Sequence, residues 1–122
     1  MRKIKMVEAN SRRCLLEEVW AAERFTHRLL GLMGRRSLEP GRGLYLPGCT
    51  SIHMFFMRFP IDVIYLDSHR RVRKIVRGLK PWRTSACIHA DSVVEAAAGW
   101  VEAAGLTEGM EVSFEEFREA GR

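Results

Sequence analysis

Three side chains in the middle of the chain have the types and spacing of ligands for a soft metal ion. Cys49, His53 and Met57 follow one another at intervals of four residues. A thiolate, an imidazole and a thioether together suit an ion such as Cu(I). A regular strand, however, would spread them over about 26 Å, so only a bend could bring them together. The sequence therefore predicts neither a metal site nor a bound cofactor.

Cys87 and His89 form a second pair with suitable chemistry. A cysteine nucleophile needs a cation, a histidine or a helix N-terminus that lowers the pKa of its thiol. The two residues would share a face if both lay on a strand, whereas a loop would fix no geometry between them. The chain has no serine nucleophile elbow, no phosphate-binding glycine loop and no zinc signature. An enzyme of undefined type is therefore the weakest functional hypothesis, and no catalytic residue is assigned.

Arg58 and Asp62 are charged residues in the longest apolar run of the chain, residues 51–67. Because an unpaired buried charge is strongly destabilising, we expect the two to form an ion pair across a bend at Pro60. Two interpretations stay open: a structural pair that fixes the bend, or the polar floor of a pocket. A few polar groups in an apolar, aromatic cleft are typical of a ligand site.

The same run is rich in strand formers, and Pro60, which cannot donate to a ladder, divides it. The pattern predicts one strand near 52–57 and a second near 61–66 that is buried on both faces. Alternating basic and apolar residues over 70–80 predict a strand that pairs with 61–66 as a hairpin across Asp67–His69.

Periodicity and turn residues predict the remaining elements. Apolar residues at helical spacing predict a helix over 21–33, ended by Gly34. A second, short helix is predicted over 98–104. Residues 1–13 and the tail from 115 are expected to be edge or frayed segments. The other predicted strands are 14–20, 44–46, 92–96 and 110–114, with a loop over 81–91.

Positive charge is concentrated in one segment. Residues 70–83 carry seven basic residues and no acidic one, and they include Trp82. Exposed cations beside an aromatic ring are enough to bind phosphate groups and bases. A solvated sheet face and a nucleic-acid-binding surface both stay open, because no nucleic-acid fold motif is present. The candidate polyanion-binding residues are Arg71, Arg73, Arg77, Lys80 and Arg83.

Length and composition are those of one globular domain. The chain has 122 residues, of which 47% are hydrophobic and 29% charged, and a formal net charge of +5. Its three cysteines are widely spaced, which is typical of thiols in a reducing compartment. No apolar stretch reaches the roughly 18 residues of a membrane span, and the basic start lacks the apolar core of a signal peptide. We therefore expect a cytoplasmic location.

Several motifs, taken in order, resemble one known family. They are Gly31–Arg35, Ile52–Asp67, Pro81–Arg83, Val93–Gly99 and Gly105–Val112. Over about residues 14–114 the chain is similar to the bacterial and archaeal "domain of unknown function 192" family. The resemblance implies a compact α+β domain with a barrel-like mixed sheet, and it implies no established activity. Two positions depart from the family pattern: Met110, where an acidic residue is usual, and Ala96-Ala97, where leucine-proline is usual.

These observations predict an α+β fold. A single domain over residues 1–122 has a twisted mixed β-sheet that curls toward a barrel, with two short helices. The functional hypothesis is a non-enzymatic binding module, in which an apolar cleft with the Arg–Asp pair takes a small anionic or sugar-like ligand. Polyanion binding through 70–83 is the alternative. The expected ligand-binding residues are His53, Met57, Arg58, Asp62 and Trp82.

Overall fold

The strands form two sheets of very different size. The computed structural model describes residues 2–22, 38–55 and 57–117. Within these ranges, seven strands form one mixed sheet and two short strands form a separate ribbon. The strands are β1 (Arg2–Glu8), β2 (Cys14–Ala21), β3 (Arg42–Pro47), β4 (Ser51–His53), β5 (Ile61–Leu66), β6 (Val72–Leu79), β7 (Thr84–Ala86), β8 (Ser92–Ala97) and β9 (Val112–Glu116).

The large sheet has the strand order β6-β5-β8-β3-β2-β1-β9. Neighbours are antiparallel except β2 and β3, which run parallel, so the predicted mixed sheet is confirmed. The edge strands β6 and β9 approach each other at one end, where Arg71 and Glu111 form an isolated bridge. No ladder follows this bridge in the described part of the chain, so the sheet is not closed, and the predicted barrel-like curl stops short of a barrel.

One helix, α1 (Trp100–Ala104), lies among the described residues. It confirms the helix predicted over 98–104, and it ends at Gly105, whose left-handed backbone is a common helix stop. The other predicted helix, 21–33, lies outside the described residues from position 23 onward, while Ala21 ends β2. The described fold is thus mostly sheet, rather than a sheet with two helices. No helix in the described ranges has the length and apolarity to cross a membrane.

Strand β5 lies at the centre of the hydrophobic core. All six of its residues are buried, as predicted for a strand covered on both faces. Ile64 and Leu66 belong to a cluster on one face that includes Trp100 of α1. Val63 and Tyr65 belong to a second cluster on the opposite face. The second cluster extends to Ile52 of β4 and Cys87, so the β4–β7 ribbon and its flanking loops cover that face.

Four element boundaries differ from the predictions. Residues 2–8, expected to be an edge or frayed segment, form an interior strand that pairs with both β2 and β9. Ile4 and Met6 are buried there, which explains why a basic segment joins the sheet. Strand β9 extends through Glu116, beyond the predicted start of the tail. The predicted loop over 81–91 contains β7, and the strand predicted near 52–57 ends at His53.

The hairpin is confirmed: β5 and β6 pair antiparallel, with irregular register near both ends. The Asp67 carboxylate accepts backbone N–H groups of His69 and Arg71, at 2.8 and 3.1 Å, and closes the turn between the strands. The hairpin and the ribbon together position the candidate site.

Candidate functional site

An open cleft of about 750 Å³ lies between strand β6 and the β4–β7 ribbon. Apolar and aromatic side chains form its walls together with polar side chains, and this combination is typical of a ligand site. The lining residues are Ser51, Ile52, His53, Phe55, Lys74, Val76, Leu79, Thr84, Ser85 and Ala86.

The ribbon that forms the outer wall continues beyond its two short strands. Ile52 pairs with Ser85 at its centre. At one end the Met54 N–H donates to the Arg83 carbonyl, and the Trp82 N–H donates to the Met54 carbonyl, each at 2.8 Å. These backbone bonds hold the tip of the ribbon, although it lies outside the regular ladder.

Lys74 joins the two walls of the cleft. Its Nζ donates to the Ala86 carbonyl at 2.8 Å, which ties β6 to the ribbon. The same ammonium lies 5.9 Å from the centre of the Tyr65 ring. Since an ammonium has three donors and this contact uses one, Lys74 keeps hydrogen-bonding capacity inside the cleft.

Three aromatic rings continue from the cleft to its mouth in a row. The His53 and Phe55 rings are stacked with centroids 4.7 Å apart, and Phe55 and Trp82 follow at 5.9 Å. The Phe55 N–H donates to His53 Nδ1 at 3.4 Å, which fixes the first pair. Phe55 is 40% exposed and Trp82 is 59% exposed, so solvent reaches both side chains.

The structure does not bring the five predicted ligand-binding residues together. His53 lines the cleft, and Trp82 lies beside the lining residue Phe55, with ring centroids 5.9 Å apart. Met57 is buried in the core beneath the ribbon, and Arg58 is exposed on the loop before β5. Of the predicted set, therefore, only the histidine and the tryptophan belong to the cleft region.

The predicted ion pair between Arg58 and Asp62 is wrong. The Asp62 carboxylate is 1% exposed, and it accepts three backbone N–H groups instead. Oδ1 accepts from Gly78 at 2.9 Å, and Oδ2 accepts from Gly99 at 3.0 Å and Val101 at 2.9 Å. Three such bonds satisfy a buried carboxylate without a cation, so Asp62 is a structural tie on the α1 side of the sheet.

Two buried polar groups beneath the ribbon escaped the sequence interpretation. Glu95 is 7% exposed, and burial raises the pKa of its carboxyl from 4.5 to about 7. It stands opposite Val63 on β5, on the same face as Tyr65. A single acidic residue within the apolar stretch Ser92–Ala97 was the signal that could have revealed it.

The Tyr65 hydroxyl is the second of these groups. It is fully buried, and no described residue makes a well-formed hydrogen bond to it. Burial raises the pKa of Tyr65, while the nearby Ser85 hydroxyl acts in the opposite direction. Because Ser85 also lines the cleft, the inner end of the cleft lies one side chain away from this polar group.

The cysteine pair lacks the geometry that thiol catalysis would need. Strand β7 ends at Ala86, and residues 87–90 form a turn closed by the Ala90 N–H to the Cys87 carbonyl at 3.0 Å. Strand alternation therefore does not place Cys87 and His89 on a shared face. In the described ranges, no three His, Cys, Asp or Glu residues are grouped as metal ligands.

The candidate polyanion-binding residues lie on β6 and in the loops at its two ends, and all are exposed. Arg71 is 3.7 Å from the Glu111 carboxylate. Arg77, Lys80 and Arg83 form no ion pair with any described residue. The structure thus leaves several cations along the edge of the sheet open to solvent.

Comparison with known sequences matches the chain to one family of uncharacterised proteins. The profile of the family described as Uncharacterized ACR, COG1430 (DUF192) matches residues 6–114. A UPF0127 protein of Thermococcus kodakarensis is 35% identical over 102 residues, which is 80% of this chain and 64% of that protein. A UPF0127 protein of Pyrococcus horikoshii is 47% identical over 72 residues, which is 54% of this chain and 59% of that protein. These matches span less than two thirds of the relatives' own length.

Two solved structures share the fold. A protein of Sinorhizobium meliloti 1021, described as a "putative transcription regulator", superposes with a TM-score of 0.78 at 24% identity over 92% of each chain. A protein of unknown function from Novosphingobium aromaticivorans superposes with a TM-score of 0.76 at 20% identity, over 91% of this chain and 83% of that one. At such identities the likeness shows the fold alone.

Proposed function

The chain belongs to the DUF192 family, and from this premise we propose that the domain is a non-enzymatic binding module whose cleft takes a small anionic or sugar-like ligand. The observation that carries the proposal is the cleft between β6 and the ribbon, which combines apolar and aromatic walls with one ammonium group. Its volume of about 750 Å³ is in the range of pockets that bind small molecules.

The polar groups of the cleft suit an anion or a polyol. Lys74 offers a cation with donor capacity left, and hydroxyl groups come from Ser51, Thr84 and Ser85. Lys74 therefore takes the place that the sequence interpretation gave to the Arg58–Asp62 pair. The His53 and Phe55 rings supply the apolar surface against which the ligand packs.

The test is a panel of small anions and sugars, screened by thermal shift and followed by calorimetric titration. The variant Lys74→Met removes the ammonium but keeps the length of the side chain. Arg77→Met removes a cation from the same strand outside the cleft lining, and is the matched control. We expect Lys74→Met to abolish binding and Arg77→Met to retain it. Absence of any ligand from the panel, or equal binding by both variants, would refute the proposal.

Polyanion binding remains the second candidate function. The exposed cations Arg73, Arg77, Lys80 and Arg83, on β6 and in the turn after it, favour it. If they contact phosphates, the affinity for an oligonucleotide duplex falls with salt at a slope near −0.9 per neutralised phosphate. Arg77→Met then makes this slope less steep, although the same substitution leaves the binding of a small ligand in the cleft unchanged. A flat salt dependence would eliminate this candidate.

A further inference from the structure

The row of rings beside the cleft, His53, Phe55 and Trp82, includes two large side chains that are exposed to solvent. Large exposed hydrophobic side chains are few among the described residues, and Phe55 and Trp82 are two of the three. Their ring centroids are 5.9 Å apart, and the stacked His53 ring continues the row into the cleft. Exposed aromatic side chains are surfaces on which a planar ligand group stacks.

The backbone holds Trp82 in a conformation that is unfavourable for a bulky residue. Its φ is 67°, in the left-handed region that glycine normally occupies. The Trp82 N–H bond to the Met54 carbonyl and the Met54 N–H bond to the Arg83 carbonyl fix this geometry. Strain of this kind persists where the surrounding structure determines it, and it is frequent at ligand sites.

Cations lie on both sides of the ring row. Lys74 lines the cleft together with His53 and Phe55. Lys80 and Arg83 flank Trp82 in a turn closed by the Arg83 N–H to the Lys80 carbonyl at 3.3 Å, and both side chains are exposed. The surface therefore combines stacking faces with positive charge, which is complementary to an anion that carries a planar ring.

We propose that the cleft binds a nucleotide, with the base stacked on the Phe55 and Trp82 rings and the phosphate at Lys74. This inference rests on the proposed function and names its ligand class, since a nucleotide is both anionic and sugar-containing. The ring row distinguishes a nucleotide from a simple sugar phosphate, because every base has a face that can stack while ribose phosphate has none.

The experiment compares adenosine 5′-monophosphate and cytidine 5′-monophosphate with ribose 5-phosphate by calorimetric titration of the whole chain. We expect both mononucleotides to bind at least tenfold more tightly than ribose 5-phosphate. Trp82→Leu removes the stacking face but keeps an apolar side chain. It lowers nucleotide affinity about tenfold or more and leaves the affinity for ribose 5-phosphate unchanged. Phe55→Leu carries the same test if Trp82→Leu fails to fold.

The outcomes separate this inference from the proposal beneath it. If ribose 5-phosphate binds as tightly as the nucleotides and its binding depends on Lys74, the binding module stands and the nucleotide assignment is overturned. If none of the three compounds binds, the nucleotide assignment also fails, and the screened panel decides the binding module by itself. If only a single-stranded oligonucleotide binds, with steep salt dependence, the polyanion candidate replaces the nucleotide assignment.

Discussion

The Asp62 carboxylate accepts the backbone N–H of Val101 at 2.9 Å, and this contact ties strand β5 to α1. The same carboxylate accepts the N–H of Gly99 before the helix and that of Gly78 in β6. One buried side chain thereby connects the β5–β6 hairpin to α1, where Val101 lies 39 residues beyond Asp62 in the chain. Its role is to position the helix and the end of β6, rather than to pair with Arg58.

Asp62→Ala should lower the free energy of unfolding by about 3–5 kcal/mol, because it leaves three buried or partly buried N–H groups without their acceptor. Arg58→Ala should change it by less than about 0.5 kcal/mol, since Arg58 is an exposed loop residue. Urea denaturation of both variants measures the difference. Equal losses of stability in the two variants would instead support the Arg58–Asp62 ion pair that the sequence suggested.

Glu95 makes stability depend on pH. Burial raises the pKa of its carboxyl to about 7 in the folded protein, from 4.5. The folded state therefore holds a proton that the unfolded state has lost, so the free energy of unfolding should fall as pH rises from 4.5 to about 7. The expected loss from this group is about 3 kcal/mol, and it stays constant at higher pH.

Glu95→Gln isolates this effect, because glutamine has the same shape and does not titrate. Denaturation at pH 5 and pH 8 should show the variant gaining stability over the wild type as pH rises. Glu102→Gln, at an exposed position of α1, should follow the wild-type curve at both pH values. A Glu95→Gln curve parallel to the wild type would show that Glu95 ionises normally in the folded state.

The strands that sequence predicted best are those whose side chains are apolar on both faces. β5 and β8 consist largely of apolar residues that are buried in the structure, so a continuous apolar run is enough to predict each strand. The turn residue Asp67 then predicts the hairpin. β1 was misjudged because its basic residues obscured the alternation of Ile4 and Met6, which are buried. Strand β7 has only three residues, too few to show a periodic pattern, and it forms because it pairs with β4.

The site was harder to predict because its contacts are long-range. The Asp62 carboxylate accepts from donors 16, 37 and 39 residues away, all of them backbone N–H groups that no sequence pattern marks. Lys74 reaches the cleft only because the ribbon folds over β6. His53 and Trp82 were two of the five predicted ligand-binding residues, whereas their link through Phe55 depends on the backbone bonds at the tip of the ribbon.

Gly43 on β3 should not tolerate alanine. A Cβ at this position would lie 2.7 Å from Leu16 Cδ1 and 2.8 Å from the Glu95 carbonyl oxygen, which belongs to the adjacent backbone. Gly43→Ala should therefore cost about 1–3 kcal/mol through overpacking. Gly109→Ala is the comparison, because its Cβ meets nothing within 4 Å and only its φ of +89° opposes the change. A Gly43→Ala variant as stable as the wild type would contradict the close approach of β3 and β8.

The backbone conformation of Trp82 predicts which of two substitutions, glycine or alanine, gives the more stable protein. At an ordinary position alanine is more stable than glycine, because glycine loses more backbone entropy on folding. Trp82 has a φ of 67°, where alanine is strained by about 1–2 kcal/mol and glycine is not. Trp82→Gly should therefore be more stable than Trp82→Ala by about 1 kcal/mol, measured as the free energy of unfolding in urea.

Both variants lack the indole, so their contacts are matched and the difference reports the backbone alone. Both should also lose nucleotide affinity equally, because both lack the indole ring on which the base stacks. If Trp82→Ala is the more stable variant, the left-handed turn is relaxed in solution, and the ring row does not have the fixed geometry on which the nucleotide site depends.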